Sequence, residues 1–392
     1  MAVTPRRLLP LALAVLAWAA APGPGRACPF CTMQGQTLTN EVDQASMVLF
    51  GRLENAKLSG NGAAEGTTDL AIEKVVKRHD VLGGRKVITL SRYVPTDSND
   101  KSKYLVFCDV FKGKVDPYRG LAVKADSDIA AYLAGAMKVK GKDIATRLRY
   151  FFDYLDNADL EVSNDAYKEF GNASYNDYRD LAKKLPADRI ARWLRDPSTP
   201  SFRYGLYASM LGHCGKAEDA GLLRSMLDDA QKRVGTGVDG ILAGYVMLQP
   251  KEGWEYLHRI LKDPLKDFTF RYAALRTVRF LWDSRPDLVE RKKLRDGVLE
   301  LVEQPDVADL AIEDLRKWGQ WDVAERILAL NDRPSHNIPI VHRAILRYAL
   351  GCAKENEKAA AFLDAQRKKD ARAVQDAEEL LKLETNVAPA KR

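Results

Sequence analysis

The chain has 392 residues, 46% of them hydrophobic and 29% charged. That length and balance give two or three domains with an ample core and exclude wholesale disorder and fibrous or collagen-like classes. The formal charge of +7 falls by three, to +4, without Arg6, Arg7 and Arg26 of a removable leader, so composition makes no case for a nucleic-acid partner.

The first element is that leader, residues 1–27. Arg6 and Arg7 form a positive start, Leu8 to Ala21 an apolar run, and Pro22 to Ala27 a helix-breaking end with a small last residue. This is the pattern of a secretory signal, with cleavage expected after Ala27 and the mature protein expected in a periplasmic or extracellular space. The run is too short to span a bilayer, and no later stretch is long enough, so no transmembrane segment is expected in the mature chain.

Five cysteines follow, Cys28, Cys31, Cys108, Cys214 and Cys352, an odd number that leaves at least one thiol unpaired within the chain. Cys28-Pro29-Phe30-Cys31 has redox spacing, but a thioredoxin-type site follows a buried strand and none precedes it. Haem attachment needs a His where Thr32 stands, and zinc needs two further ligands. The expectation is a staple of the N-terminus to the first domain, with Cys108, inside an apolar strand, as the natural partner of Cys28 or Cys31.

Residues 28–128 read as a β domain. Met47 to Phe50, Leu70 to Val76, Val87 to Leu90 and Tyr104 to Phe107 are strand-length runs, and a fifth is suggested near Leu121 to Val123. Val75-Val76 breaks the alternation and suggests a bulge. Turn-rich stretches at Ser59 to Gly62, Gly83-Gly84 and Asp97 to Asp100 separate the runs, and the gaps are too short for crossover helices. A small OB-like barrel is expected, because closure removes exposed edges.

Residues 129–384 read as helices, with apolar positions three and four apart over Ile129 to Met137, Ile144 to Leu155, Tyr175 to Leu185 and Ile190 to Leu194. Beyond residue 200 a repeat emerges. Phe202-Arg203-Tyr204 aligns with Phe270-Arg271-Tyr272 and, less closely, with Val341-His342-Arg343, at offsets of 68 and 71. Val238 to Leu242 and Val307 to Ile312 lie halfway between, so the unit is one helical hairpin and the expected architecture a HEAT-like solenoid. The fold class expected is therefore α+β multidomain, a barrel head followed by a solenoid. Glu355 to Leu383 reads as capping helices and residues 385–392 as a disordered tail.

Two resemblances accompany this reading. The mature Cys-x-x-Cys start, Ala45 to Leu53 and Lys103 to Phe107 resemble the netrin-like module that includes the tissue inhibitors of metalloproteinases. That resemblance implies an OB-type barrel with a disulfide-anchored N-terminus, and protease inhibition through the amine and carbonyl of Cys28. The chain has CxxC where that module has CxC, and fewer cysteines than its full disulfide set. The whole chain is similar to exported planctomycete proteins in CPFCTMQGQTL (28–38), DVFKGKVDPYRG (109–120), FFDYLDN (151–157) and FRYGLYASMLGHCG (202–215). This second likeness implies the architecture and carries no activity.

Candidate sites remain. The aromatic residues from Tyr150 to Tyr178 either pack the first hairpins or form a platform for sugar or peptide. Asp153, Asp156, Asp159, Glu161 and Asp165 form an acidic cluster without EF-hand spacing, read as helix caps rather than calcium ligands. The five His are scattered, Ser98 to Lys101 spells SxxK only in a polar turn, and GxSxG, HExxH and GxxxxGK[ST] are missing. No catalytic residue, metal ligand or cofactor is expected. The expected function is an exported, non-enzymatic binding or scaffold protein whose partner is another extracytoplasmic protein. Arg203, Arg271, Tyr204 and Tyr272 mark the binding surface, unless the two arginines instead bridge neighbouring repeats. The alternatives are a thiol or metal-directed role of the CPFC segment, metalloprotease-inhibitor-like binding included, and an unrecognised hydrolase.

Overall fold

The computed structural model describes residues 28–59, 65–96, 101–233 and 235–387. The leader, most of the Ser59 to Gly62 turn and the Asp97 to Asp100 turn, with all of SxxK but Lys101, lie outside the described residues.

After a short helix α1 (Leu38–Gln44), alternating apolar residues build five strands: β1 (Met47–Leu58), β2 (Gly66–Lys77), β3 (Val87–Leu90), β4 (Lys103–Phe111) and β5 (Lys114–Val123). They form one antiparallel sheet in the order β3-β2-β1-β4-β5. The expected run near Leu121 is the end of a longer strand, joined to β4 by a tight turn with Lys112 and Gly113 at positive φ. The anticipated irregularity lies in β2, which skips a residue at Val76 and another at Glu73 in its pairing with β1.

The sheet does not close into the expected barrel. Its edges are β3, four residues long, and β5, which carries Pro117, and short or proline-bearing strands are ways to blunt an open edge. Closure is also unnecessary for covering the faces. Met47, Leu49, Leu70, Ile88, Val106 and Cys108 pack on one face beneath Leu82. Val48, Phe50, Leu105 and Phe107 point the other way and join the core of the helices.

Helices α2 (Ile129–Val139), α3 (Ile144–Phe152), α4 (Leu160–Asn172), α5 (Tyr175–Ala182) and α6 (Ala187–Arg195) follow. Next come α7 (Tyr204–Cys214), α8 (Asp219–Asp228), α9 (Ala230–Arg233), α10 (Val238–Leu248), α11 (Pro250–Lys262) and α12 (Phe268–Ser284). The chain continues through α13 (Arg291–Val302), α14 (Ala308–Lys317), α15 (Ala324–Leu328), α16 (Pro339–Cys352), α17 (Glu357–Lys369) and α18 (Ala371–Val387). The expected tail thus begins inside α18, and residues 388–392 lie outside the described residues. None of the described helices is long and apolar enough to cross a membrane.

Helices pack against near neighbours in sequence, α6 on α7, α7 on α10, α10 on α12 and α14 on α16. The α7–α10 contact is the tightest: a Cβ on Gly240 would stand 2.3 Å from the Gly205 carbonyl oxygen, so the helix backbones touch. Several ion pairs share a similar sequence separation, beside others that span 23 or 68 residues. Arg189 pairs with Asp153 and Asp156, 36 and 33 residues upstream, while Arg271 and Arg279 pair with Asp306 and Asp314, each 35 residues downstream.

Candidate functional site

The CPFC segment does not reach the sheet. Cys28 and Cys31 are bonded to each other across a Cα separation of 5.4 Å, and Cys108 is a free, buried thiol. The expected staple through Cys108 is therefore corrected. Cys108 faces the side of the sheet that looks away from the helices, whereas Cys28, Phe30 and Cys31 belong to the helical core, so the sheet itself stands between them.

Residues 28–35 turn at Pro29-Phe30, lie against the helices and are gripped through their backbone. The Cys28 amide donates to Gly171 O (3.3 Å), and Arg276 Nη2 donates to Pro29 O (3.0 Å). The Thr32 amide donates to the Tyr167 hydroxyl (3.3 Å). Asn172 closes a two-point clamp on Gly35, its Oδ1 accepting from the Gly35 amide (2.9 Å) and its Nδ2 donating to the Gly35 carbonyl (2.8 Å). Among the side chains that anchor the segment, the Phe30 ring meets Phe280 edge-on at 4.7 Å, and Phe280 in turn meets Tyr175 at 4.9 Å.

Two clefts flank the Pro29-Phe30 turn and share Tyr272 and Arg276. The larger, about 230 Å³, lies between Pro29, Tyr175, Tyr272, Arg279, Phe280 and Asp283. The smaller, about 130 Å³, opens beside Phe30, Thr32 and the loop Gly235 to Gly237. Tyr272 stacks parallel to the exposed Phe268, with ring centroids 5.9 Å apart, and the Arg279 guanidinium lies over the Tyr272 ring, also 5.9 Å from its centroid. The outer face of α12 thus presents rings and guanidinium groups one turn apart.

Both arginines are held by buried carboxylates. Asp239 Oδ2 lies 2.8 Å from Arg276 without an aligned N–H, so charge rather than a hydrogen bond joins them; burial raises the Asp239 pKa and Arg276 opposes the rise. Arg279 Nε donates to Asp314 Oδ2 (2.7 Å), and burial pushes Asp314 up to about 6 against the pull of Arg279. Behind the larger cleft, His213 shares a hydrogen bond with the Tyr175 hydroxyl (3.0 Å) and is pushed down to about 4, by burial first and then by Arg285.

The expected surface residues separate. Arg203 is buried and spans to Leu155 O (2.7 Å), Ser163 Oγ (2.9 Å) and Asn164 Oδ1 (2.8 Å). Arg271 is equally buried and meets Gln304 and Asp306. Arg271 pairs with a carboxylate 35 residues on, as the bridging reading has it, whereas Arg203 reaches back to a carbonyl, a hydroxyl and an amide and, among the described residues, to no Asp or Glu. Tyr204 is buried; Tyr272 lines both clefts beside the Pro29-Phe30 turn, and Arg271 lines a separate cleft with Gln304 and Asp306. The acidic cluster is dispersed among separate duties. Asp153 and Asp156 hold Arg189, Asp159 caps α4, and Asp165 accepts from Thr39 Oγ1 (3.0 Å) and Tyr132 OH (2.8 Å). Among the described residues no three His, Cys, Asp or Glu side chains gather in a way that could hold a metal ion. The aromatic run resolves as packing, with Phe151, Phe152, Tyr167, Phe170 and Tyr178 fully buried.

Sequence reasoning missed Arg276 and Phe280. The signal was available: Phe268, Tyr272, Arg276 and Phe280 recur every four residues, one face of a helix whose other face already supplies Leu275, Val278 and Leu281 to the core.

The Cys28 nitrogen donates to the C-terminal end of α4, where the helix dipole disfavours a thiolate, the reverse of a redox cysteine at a helix N-terminus. Burial pushes Cys108 up to about 12 and Cys214 up to about 11, and raises Cys352 as well. The Cys28 nitrogen and carbonyl are both engaged internally, the carbonyl accepting from the Cys31 amide (3.4 Å). Set against protein-family models, curated proteins and solved structures, the chain matches none of them.

Proposed function

We propose that this is an exported, non-enzymatic binding protein whose helices form a HEAT-like stack and take a non-helical segment of a partner protein, through its backbone, along the outer face of α12. The observation that carries the reading is the way residues 28–35 are held. The helices grip a non-helical, turned segment through its amides and carbonyls and sink the Phe30 ring among Phe280 and Tyr175. Such a grip is largely indifferent to side-chain identity, as binding of a peptide backbone requires. The clefts on either side of this segment continue the same chemistry with Tyr272, Arg276 and Arg279. Ion pairs at separations of 33 to 36 residues, close to half the repeat offsets, support a stack of hairpins in which each unit is tied to the next. Export is supported by the leader pattern and by a disulfide that opens the mature chain.

The test is site-specific photocrosslinking from Thr269, in the smaller cleft, within the exporting compartment. The wild-type chain should trap a protein partner, and Phe268→Ala with Tyr272→Ala should reduce the adduct at least tenfold while leaving the melting temperature within about 2 °C, because Phe268 is 43% exposed and Tyr272 partly so. An adduct unaffected by the two substitutions, or no adduct from either chain, would overturn the reading.

A further inference from the structure

The Cys28 backbone nitrogen is the donor that meets Gly171 O, 3.3 Å away, at the C-terminal end of α4. The last carbonyls of a helix have no intrahelical partner and carry the negative end of its dipole, so a cation there is stabilising. α4 brings no basic residue in its last turn, and its C-cap amide, from Ala173, is spent on Phe170 O. Cys28 is also 2% exposed, which places the first residue of the CPFC turn inside the core rather than on a loose end. The small residue expected before the cleaved bond, Ala27, immediately precedes it.

We propose that cleavage of the Ala27–Cys28 bond makes a structural cation: the new α-ammonium group of Cys28 caps α4 and seats the CPFC turn. The step is a hydrolysis by a leader peptidase of the exporting compartment. Water adds across the amide, leaving a carboxylate on Ala27 and an amine on Cys28 that takes up a proton at neutral pH. One amide N–H is thereby replaced by three donors and a full positive charge at a site that otherwise has none from its own helix. Maturation and folding are then coupled, because the grip on residues 28–35 starts from this contact.

This inference rests on the export reading above, and the experiment separates the two. The intact mass of the exported protein is measured first, and a mass that begins anywhere other than Cys28 overturns the processing step. Two otherwise identical chains are then compared in urea, one released by a scarless protease to begin at Cys28 and one beginning at Ala27. The chain beginning at Cys28 should show a folding equilibrium constant at least threefold larger, and slower amide exchange at Asn172 and Ala173. Equal stability and equal exchange in the two chains would overturn the cap while leaving export intact.

Discussion

His213 and Asp314 titrate in opposite senses within the same pH range. His213 has its pKa pushed down to about 4 from an ordinary 6.5, so the unfolded chain binds the extra proton, and its stability contribution is full above pH 6.5 and lost as pH falls toward 4. Asp314 has its pKa pushed up to about 6 from 3.8, so the native state holds the extra proton, and its contribution is full below pH 3.8 and lost as pH rises through 6. Each limb spans roughly 3 kcal/mol at most, and between pH 4 and 6 they offset one another. Replacing the histidine should expose the imbalance: His213→Gln should lose about 2 to 3 kcal/mol more, relative to wild type, at pH 6.5 than at pH 4.5. Urea unfolding at the two pH values measures it, and an equal loss at both would mean that His213 is not held neutral. Neither shift was legible in the sequence, where His213 is one of five scattered histidines. Its environment comes from Tyr175 and Arg285, 38 residues before it and 72 after. The same limit applies to Arg203 and Arg271, since helical spacing does not distinguish an exposed arginine from one whose partners lie 33 to 48 residues away.

At the scale of elements, four of the five strands and most of the early helices were legible, because period-two and period-3.6 patterns are local properties of the chain. Barrel closure was not, since it depends on what covers each face of the sheet, and here the helices cover one. α4 was hidden by its own acidic residues. Asp159 caps it and Asp165 turns inward to accept from Thr39 and Tyr132, so a helix reads as a charged cluster. That helix proves central, because the N-terminal segment lies against its end. A Cβ added at Gly171 would stand 2.1 Å from the Met33 carbonyl oxygen, too close for any side chain. Gly171→Ala should therefore lift the segment and cost about 1 to 3 kcal/mol, as overpacking does. Limited proteolysis should show faster cutting between Thr32 and Gln36. A variant with wild-type stability and protection would show that the segment is not seated on α4.

Over the whole molecule, one buried core runs from the sheet into the helices. Val48, Phe50, Leu105, Phe107 and Val123 of the sheet pack in the same cluster as Ile129, Leu133 and Phe151 of the helices, and Cys28, Phe30 and Val42 join them from the N-terminal side. Cutting the chain after residue 128 would expose those five sheet residues. At about 1.5 to 3 kcal/mol each, the lost burial comes to roughly 7 to 15 kcal/mol, comparable to the whole stability of an ordinary domain. Residues 28–128 alone should accordingly fail to fold, giving a poorly dispersed amide spectrum and no cooperative melt, while the chain from Cys28 should unfold with sheet and helix signals lost together. A dispersed spectrum with a sharp transition from the 28–128 fragment would restore an independent head. The contrary result would mean that the sheet and the helices form one folding unit around the core that they share.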